Sequence, residues 1–324
     1  DTYNTAVGFN AGTAVTTGDR NTIVGGLAGD SLTTGQKNVA IGTGALSDDD
    51  VGSRSVAVGD SALAAQNFAT ATDTYNTAVG NNAGLAVTTG TQNTFIGGLA
   101  GDATVDSSNN TAVGYLALSA DSGGTSTAVG SNALEVATGF DNTAMGYEAG
   151  VSVTSGHNNL LLGHEAGRSG SPGGNITTHS NNVVLGDENI SAFYAQVALT
   201  VSSDERDKTD FVDLDLGLDF VKALEPITYY WDKRSKYGDK DADNYDLDNL
   251  TPDGTHKEDW MDVGFKAQSV STLEEAAGYK IADKKNLTVS LTEDGKQYGL
   301  KYEKFIPILV KAIQDQDAII QSLT

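Results

Sequence analysis

The sequence predicts a mainly β N-terminal repeat region, built as a trimeric β-solenoid or β-roll, and a small α+β domain that ends in a long coiled-coil-like helix. Three observations lead to this prediction. A glycine-ending pentapeptide recurs eleven times before residue 190, and 31 of the 38 glycines lie in the first 203 residues. Both tryptophans follow residue 203, and apolar residues recur at helical spacing near the C-terminus. We assign residues 1–199 to a glycine-rich shaft and residues 200–324 to a C-terminal domain.

Composition excludes several classes of protein. The 324 residues include 20 Lys or Arg and 43 Asp or Glu, which gives a formal net charge of −23. Binding to nucleic acid or to an anionic membrane surface requires the opposite sign. The chain has no cysteine, which excludes disulfides, a thiolate zinc site and a cysteine nucleophile. Because an apolar run of about 18 residues is also missing, we expect neither nucleic-acid binding nor membrane insertion.

The repeat unit is a polar residue followed by three mostly apolar residues and a glycine. Its copies include NTAVG ending at Gly8, NTIVG ending at Gly25 and NVVLG ending at Gly186. Successive glycines are 16 or 17 residues apart, except for steps of 21 and 23 residues. A period near 20 residues is typical of solenoids in which each repeat stacks on the next. The Val, Ile and Thr residues between turn-forming Gly, Asn and Asp favour a short strand in each unit.

Side-chain alternation within a unit predicts which residues share a face. With a period of two, Thr5 and Val7 point to one side, and Asn4, Ala6 and Gly8 point to the other. One unit buries little apolar surface, whereas ordering the backbone costs about 1–2 kcal/mol per residue. We therefore expect association to stabilise the shaft, as a homotrimer in which the Ala/Gly faces of the chains approach closely.

The C-terminal segment has the elements of an ordinary α+β domain. We expect a last strand of the shaft over residues 196–201, and then a short helix over residues 216–224 that ends before Pro226. Alternating apolar residues predict a strand over residues 227–231. A hairpin is predicted within residues 287–302, around the turn Glu-Asp-Gly.

The final helix has two interpretations. A spacing of four and three residues connects Phe305, Leu309, Ala312, Gln316, Ile319 and Leu323. This spacing favours a coiled coil between chains, in which the polar Gln316 would fix the register. The alternative is a single helix that packs on its own domain.

Five ordered motifs after the repeats carry a family resemblance. They are S-D-x-R-x-K, an amphipathic helix, a strand with Tyr and Trp, G-F-x-A-Q, and L-x-Y-x-x-F before a long helix. The residues in these motifs are Ser203, Asp204, Arg206 and Lys208; Leu216 to Leu224; Tyr229, Tyr230 and Trp231; Gly264, Phe265, Ala267 and Gln268; and Leu300, Tyr302 and Phe305. In this order they resemble the C-terminal intramolecular chaperone and auto-processing domain, an endosialidase-type peptidase, of phage tail spikes and tail fibres. The pentapeptides resemble the β-roll heads of trimeric autotransporter adhesins, although their period is longer.

The resemblance implies chemistry at the start of the C-terminal domain. Ser203 would be the nucleophile and Lys208 the general base of a self-cleaving serine endopeptidase, with Asp204 and Arg206 in supporting roles. The chain would cut its own Ser203–Asp204 bond once the trimer has folded. Two alternatives stay open. An N-to-O acyl shift would break the bond before Ser203, and pairing of Lys208 with a carboxylate such as Asp207 would leave a folding domain without cleavage.

We expect no cofactor and no metal site. No metal-ligand spacing connects the four histidines, His157, His164, His179 and His256. Five aspartates lie within residues 239–248, but an EF-hand loop that starts at Asp239 would require glycine and glutamate where the chain has Asn244 and Leu250. We interpret this acidic segment as a solvated insertion.

Together these features predict a structural protein of a virion tail, assembled in the host cytoplasm, that serves host attachment as a fibre or spike. Its C-terminal domain would drive trimerisation and folding and then release itself. Expected partners are the other chains of the homotrimer, other tail proteins and a host cell-surface receptor, for which we expect a carbohydrate. One alternative is a trimeric adhesin of the cell surface with the same chaperone domain. Another is the C-terminal part of a glycan-degrading tail spike, although the repeats show no evident acid–base pair of carboxylates.

Overall fold

The computed structural model describes residues 3–242 and 244–323. The chain divides between Asn189 and Ile190 into two compact units. The second unit contains residues 190–324, and the domain boundary at residue 200 stays a prediction. No helix within the described residues combines the length and the apolar composition that crossing a bilayer requires.

The first unit is a β-solenoid in which every pentapeptide forms a strand. The described residues of this unit contain thirteen strands, of which eleven form one parallel sheet and two, β4 and β6, form a separate pair. In chain order they are β1 (Thr5–Val7), β2 (Thr22–Val24), β3 (Val39–Ile41), β4 (Gly52–Ser53), β5 (Val56–Val58), β6 (Thr72–Asp73), β7 (Thr77–Val79), β8 (Thr94–Ile96), β9 (Thr111–Val113), β10 (Thr127–Val129), β11 (Thr143–Met145), β12 (Leu160–Leu162) and β13 (Val183–Leu185). Equivalent residues lie side by side, as Ala6, Ile23 and Ala40 do. The predicted solenoid is confirmed.

The alanine side of the strands forms the core of the solenoid. The central residues of the strands, such as Ala40, Ala57 and Ala78, are fully buried within a single chain, together with Leu46 and Leu63 from the connecting turns. The expectation that Ala/Gly faces of different chains approach each other is therefore wrong. Each chain folds this side of its strands into its own interior.

Buried asparagines and the strand-ending glycines align consecutive coils. The Asn38 N–H donates to Asn21 Oδ1 at 2.9 Å, and Asn38 Nδ2 donates to the Gly52 carbonyl oxygen at 2.9 Å. Burying an amide is costly unless it is hydrogen-bonded, so this ladder explains why asparagine opens most units. Gly25 has φ +139°, and a Cβ there would collide with the Gly42 carbonyl oxygen. The close stacking of coils thus requires glycine at the end of the strand.

One strand carries a phenylalanine where its neighbours carry alanine. Phe95 is fully buried and lies between Ala78 and Ala112 in the sheet. Two glycines provide the space for its ring. A Cβ on Gly84 would lie 2.9 Å from the ring, and a Cβ on Gly101 would overlap it. The core is therefore locally matched to this larger side chain.

A buried polar network lies near the 21-residue step of the repeat. The Asp49 carboxylate accepts hydrogen bonds from Gln66 Nε2 at 2.6 Å and from the Gly52 N–H at 2.9 Å. Gln66 in turn accepts a hydrogen bond from Asn76 Nδ2 at 2.8 Å. Burial raises the pKa of Asp49 above its ordinary value, against the opposite effect of the Gln66 hydrogen bond.

The second unit is a small α+β domain, as predicted. Its elements are α1 (Leu218–Ala223), β14 (Ile227–Tyr230), β15 (Met261–Gly264), α2 (Ala267–Ala276), β16 (Val289–Leu291), β17 (Tyr298–Leu300) and α3 (Phe305–Leu323). β14 pairs with β15, and β16 and β17 form the predicted hairpin. The helix before Pro226 is shorter than expected because it begins at Leu218. A compact apolar core contains Leu216, Phe220, Val270, Val289, Phe305 and Ile308.

The strand predicted over residues 196–201 is wrong for the single chain. This segment has no regular secondary structure, and Val197, Leu199 and Val201 are exposed. A strand requires a partner for its backbone N–H and C=O groups, and the described part of this chain provides none here.

The final helix α3 has two apolar faces. Phe305, Ile308 and Ala312 are buried against the domain core, so the first part of the predicted seam packs inside the domain. A second apolar stripe is exposed and follows Leu309, Ile313, Ile320 and Leu323, with the polar Gln316 in its middle. Packing of the helix on its own domain is thus confirmed for one face, and the coiled coil between chains stays a prediction for the other.

Candidate functional site

A tight turn in the second unit brings Ser203 and Lys208 together. Glu205–Asp207 form one turn of 3-10 helix with Asp204 as its N-cap. As a result, the Lys208 ammonium donates to Ser203 Oγ at 2.6 Å and lies 3.3 Å from the Ser203 carbonyl oxygen. The serine and lysine singled out from the sequence are therefore in direct contact.

Asp204 and Arg206 form the framework of this turn. Asp204 Oδ1 accepts a hydrogen bond from the Arg206 N–H at 2.9 Å, and Arg206 Nη2 donates to Asp204 Oδ2 at 2.6 Å. The side-chain hydrogen bonds from Arg206, followed by the backbone one, lower the pKa of Asp204 below its ordinary value. Asp204 is thus ionised and engaged with Arg206.

Lys208 is exposed to solvent in a single chain, as is Ser203. In the part of the chain that the structure describes, its ammonium forms no ion pair with Glu205, Asp207 or Asp210. A general-base lysine must be neutral, which requires burial or a neighbouring positive charge. The contact between the two groups is present in one chain, whereas the required burial is not.

Two of the later motifs meet in an aromatic cluster at the start of α3. The ring of Phe265 lies 5.4 Å from that of Phe305 and 6.3 Å from that of Tyr302. The Phe265 N–H donates to the Tyr302 hydroxyl at 3.4 Å. Gly264 permits this approach, because a Cβ there would overlap the same hydroxyl. G-F-x-A-Q and L-x-Y-x-x-F thus form one packing unit.

The tyrosine–tryptophan motif joins the two strands of the β14–β15 sheet. Asp262 accepts hydrogen bonds from Trp231 Nε1 at 3.2 Å and from the Tyr229 hydroxyl at 3.3 Å. Burial, followed by the negative charge of Asp262, raises the pKa of Tyr229 to about 12. Tyr229 therefore remains a hydrogen-bond donor near neutral pH, and its role here is to hold the sheet together.

The acidic segment is tied to its own domain by ion pairs. Asp246 lies 2.5 Å from Lys296 Nζ, and Asp248 lies 3.3 Å from the same ammonium and 3.2 Å from Arg234. The hydrogen bond from Lys296 is the largest effect that lowers the pKa of Asp246. Asp243 lies outside the described residues.

The outer face of the solenoid sheet is a second candidate functional surface. The first and third residues of each strand point away from the core, and all of them are Thr, Val, Ile, Leu or Met. Across the eleven described strands no charged residue interrupts this face, which we call the outer sheet face. Ile96 is 41% exposed and Met145 51%. Strands about 4.8 Å apart make the face about 48 Å long, and parallel sheets are normally covered on both sides.

The alternation in the sequence correctly places Thr5 and Val7 on one face of the strand. However, we assigned the contact between chains to the opposite face, which carries alanine and glycine. Alanine and glycine suggested a close approach of chains, whereas in the fold they make the close approach of coils. A stronger indication of the contact face was the distribution of charge. Residues 1–203 contain 17 acidic residues, but none of them occupies an outward position of a strand in the sheet.

The comparison with known proteins concerns the second unit. Residues 203–279 match the family described as the chaperone of endosialidase, and the match begins at Ser203 and includes Lys208, Trp231 and Phe265. No curated protein and no solved structure matches the chain. Within the C-terminal unit, residues 203–279 are therefore similar to the chaperone-of-endosialidase family.

Proposed function

We propose that this chain is a structural segment of a trimeric tail fibre or tail spike that attaches a virion to its host. The observation that carries the proposal is the order of its parts. A β-solenoid is followed by a domain of the chaperone-of-endosialidase family whose match begins at Ser203. The long repetitive sheet would be the part that remains in the virion tail, beside other tail proteins and facing a carbohydrate receptor of the host.

The C-terminal domain would act first, by bringing three chains into register. Every coil of the solenoid resembles its neighbours, so contacts between chains could form one coil out of step. A terminal domain that trimerises early holds the three chain ends at high effective concentration, and association then proceeds from that end. The outer sheet face is the surface that we assign to the contact between solenoids, because it is uncharged, rich in aliphatic side chains and as long as the repeat region.

Release of the domain would follow from Ser203 and Lys208. A neutral Lys208 takes the proton of Ser203 Oγ, the oxygen adds to a carbonyl carbon, and the amide nitrogen leaves with that proton. Water then hydrolyses the resulting ester, which frees the carboxylic acid and restores the Ser203 hydroxyl. Attack of Oγ on the carbonyl of its own residue would close a four-membered ring. Cleavage of the Ser203–Asp204 bond therefore calls for Oγ of a neighbouring chain or for a water molecule that the dyad activates. Attack on the preceding carbonyl closes a five-membered ring and breaks the bond before Ser203.

Burial by neighbouring chains would couple this reaction to assembly. In one chain the dyad is exposed, and Lys208 has no contact that favours its neutral form. Chains that cover the turn would desolvate the ammonium and expel its proton, so that cleavage would wait until the trimer has formed. Cleavage would then leave a trimer that lacks the domain needed to assemble it again.

Mass spectrometry of the purified full-length chain tests this proposal. We expect two fragments with the boundary after Ser203 in the wild type, and an intact chain for Ser203→Ala and Lys208→Met, both still trimeric by sedimentation. Ser202→Ala is the matched control and should be cut normally. Normal cutting of Ser203→Ala would overturn the assignment of the nucleophile. An intact wild-type trimer would leave a folding domain without protease activity, and fragments that begin at Ser203 would indicate the acyl shift.

A trimeric adhesin of the cell surface is the second candidate, favoured by the β-solenoid of glycine-ending pentapeptides. Immunogold labelling distinguishes the two, since antibodies to residues 1–203 should label virion tails under the first proposal and bacterial surfaces under the second. Glycan turnover by longer forms of the protein would instead support a glycan-degrading spike.

A further inference from the structure

Three side chains with metal-ligating atoms come together near the C-terminal end of the solenoid. His164, Glu165 and Asp187 each offer one ligand atom, and these atoms all lie within 4.8 Å of one another. His164 and Asp187 directly follow the glycines that end β12 and β13, Gly163 and Gly186. The stacking of coils therefore makes His164 and Asp187 neighbours although 23 residues separate them in the sequence. This separation matches no usual spacing of metal ligands.

We propose that His164, Glu165 and Asp187 bind one divalent transition-metal ion of the zinc class. His164 Nδ1 lies 3.3 Å from Asp187 Oδ2. Two ligands of a tetrahedral zinc ion with bonds of 2.0–2.1 Å are separated by about 3.3 Å, so this pair has the required spacing. A small movement of the Glu165 carboxylate supplies the third ligand, and water can supply the fourth. The imidazole nitrogen selects zinc-like ions over calcium and magnesium, which prefer oxygen ligands alone.

The surroundings orient two of the three ligands. The His164 ring stacks on Tyr147 with centroids 5.4 Å apart. Asp187 is buried, and its carboxylate accepts hydrogen bonds from the backbone N–H and from Nδ2 of Asn189, both at 2.9 Å. These hydrogen bonds hold the carboxylate in a fixed orientation, as metal ligands are held in known sites.

The local charge also favours a cation. Arg168 contacts Glu148 and lies 3.3 Å from Glu165 Oε1, which leaves the group of Glu148, Glu165, Asp187 and Arg168 with a net charge of −2. Glu165 contacts Arg168 through Oε1, and this contact limits the movement of the carboxylate.

Calorimetric titration of the metal-free full-length chain with zinc chloride tests the proposal. We expect one zinc ion per chain, and a Kd raised at least about tenfold in His164→Gln and in Asp187→Asn, because even changes to the groups that orient metal ligands weaken binding by about 10–100-fold. His157→Gln is the matched control. Its ring stacks on Phe140 at 4.8 Å and bonds Ser180 at 2.9 Å, outside the ligand cluster.

Circular dichroism first shows whether the variants keep the wild-type β signal. In folded variants, weaker zinc binding by His164→Gln and Asp187→Asn, with unchanged binding by His157→Gln, supports the proposed zinc site. A cobalt titration adds a second readout, since the visible absorption of bound Co²⁺ should disappear in His164→Gln. The proposal is overturned if the wild type binds no zinc, if both variants bind it as tightly as the wild type, or if His157→Gln loses it equally.

Discussion

The outer sheet face predicts that Ile96→Asp weakens the proposed trimer without unfolding the chain. Ile96 is 41% exposed in a single chain, so that contacts between chains can still cover this fraction. Full burial of an isoleucine contributes about 1.5–3 kcal/mol, so covering the exposed part contributes about 0.6–1.2 kcal/mol per chain and about 2–4 kcal/mol per trimer. In the Ile96→Asp trimer, three carboxylates would also lose their hydration, which costs about several kcal/mol for each of them.

Sedimentation velocity over a range of concentrations measures this loss, with circular dichroism to follow the fold. Val136→Asp is the matched control, because Val136 is 43% exposed but belongs to no strand of the sheet. We expect Ile96→Asp to shift the trimer toward monomers or to lower its thermal midpoint, and Val136→Asp to leave both unchanged. Equal trimer stability in the two variants would refute the assignment of the outer sheet face to the contact between chains.

Three further predictions concern packing and charge. Phe95→Ala should lower the free energy of unfolding of the solenoid by about 3–5 kcal/mol in urea titrations, because it empties a fully buried site; a loss below about 1 kcal/mol would mean that the core collapses around it. The raised pKa of Asp49 means that its contribution to stability is present below the ordinary value of 3.8 and is lost as the pH rises through the raised value. Urea midpoints of the wild type should therefore fall relative to those of Asp49→Asn between acidic and neutral pH, and parallel curves would contradict this. Tyr302→Phe removes the acceptor of the Phe265 N–H and should destabilise the C-terminal domain by about 0.5–1.5 kcal/mol in the same assay, whereas an unchanged midpoint would show that the 3.4 Å contact is weak.

The strands were predictable because the same local sequence pattern, a short strand followed by a turn, recurs eleven times. In each unit a glycine ends the strand, and β-branched residues precede it. What the pattern could not reveal was which face lies inside, since Ala6 and Val7 are both apolar and alternation only separates them. The choice depends on the turns, where residues such as Leu46 fill the space beside the alanines.

The candidate dyad was assigned from the family resemblance, and the contact between its two side chains depends on local structure alone. Ser203 and Lys208 are five residues apart, and a single capped turn is enough to bring them together. The cluster around His164 depends instead on which coil stacks on which, across a step of irregular length. Contacts of that kind follow from the three-dimensional register, so local sequence patterns do not reveal them.

The irregular coils suggest how identical repeats avoid ambiguous pairing. Within the sheet, neighbouring units are interchangeable, because Thr, Ala and Val recur at the same positions. Phe95 requires its own pair of glycines, and Asp49 requires Gln66 in the next coil. If the coils of one chain stacked one repeat out of register, Phe95 would be buried without space for its ring, and Asp49 would be buried without its hydrogen-bond donor. Each of these costs about several kcal/mol. These features specify the register inside a chain but cannot align separate chains, since they lie in each chain's interior. Alignment between chains must then come from outside the repeats, which is the role that we propose for the domain beginning at Ser203.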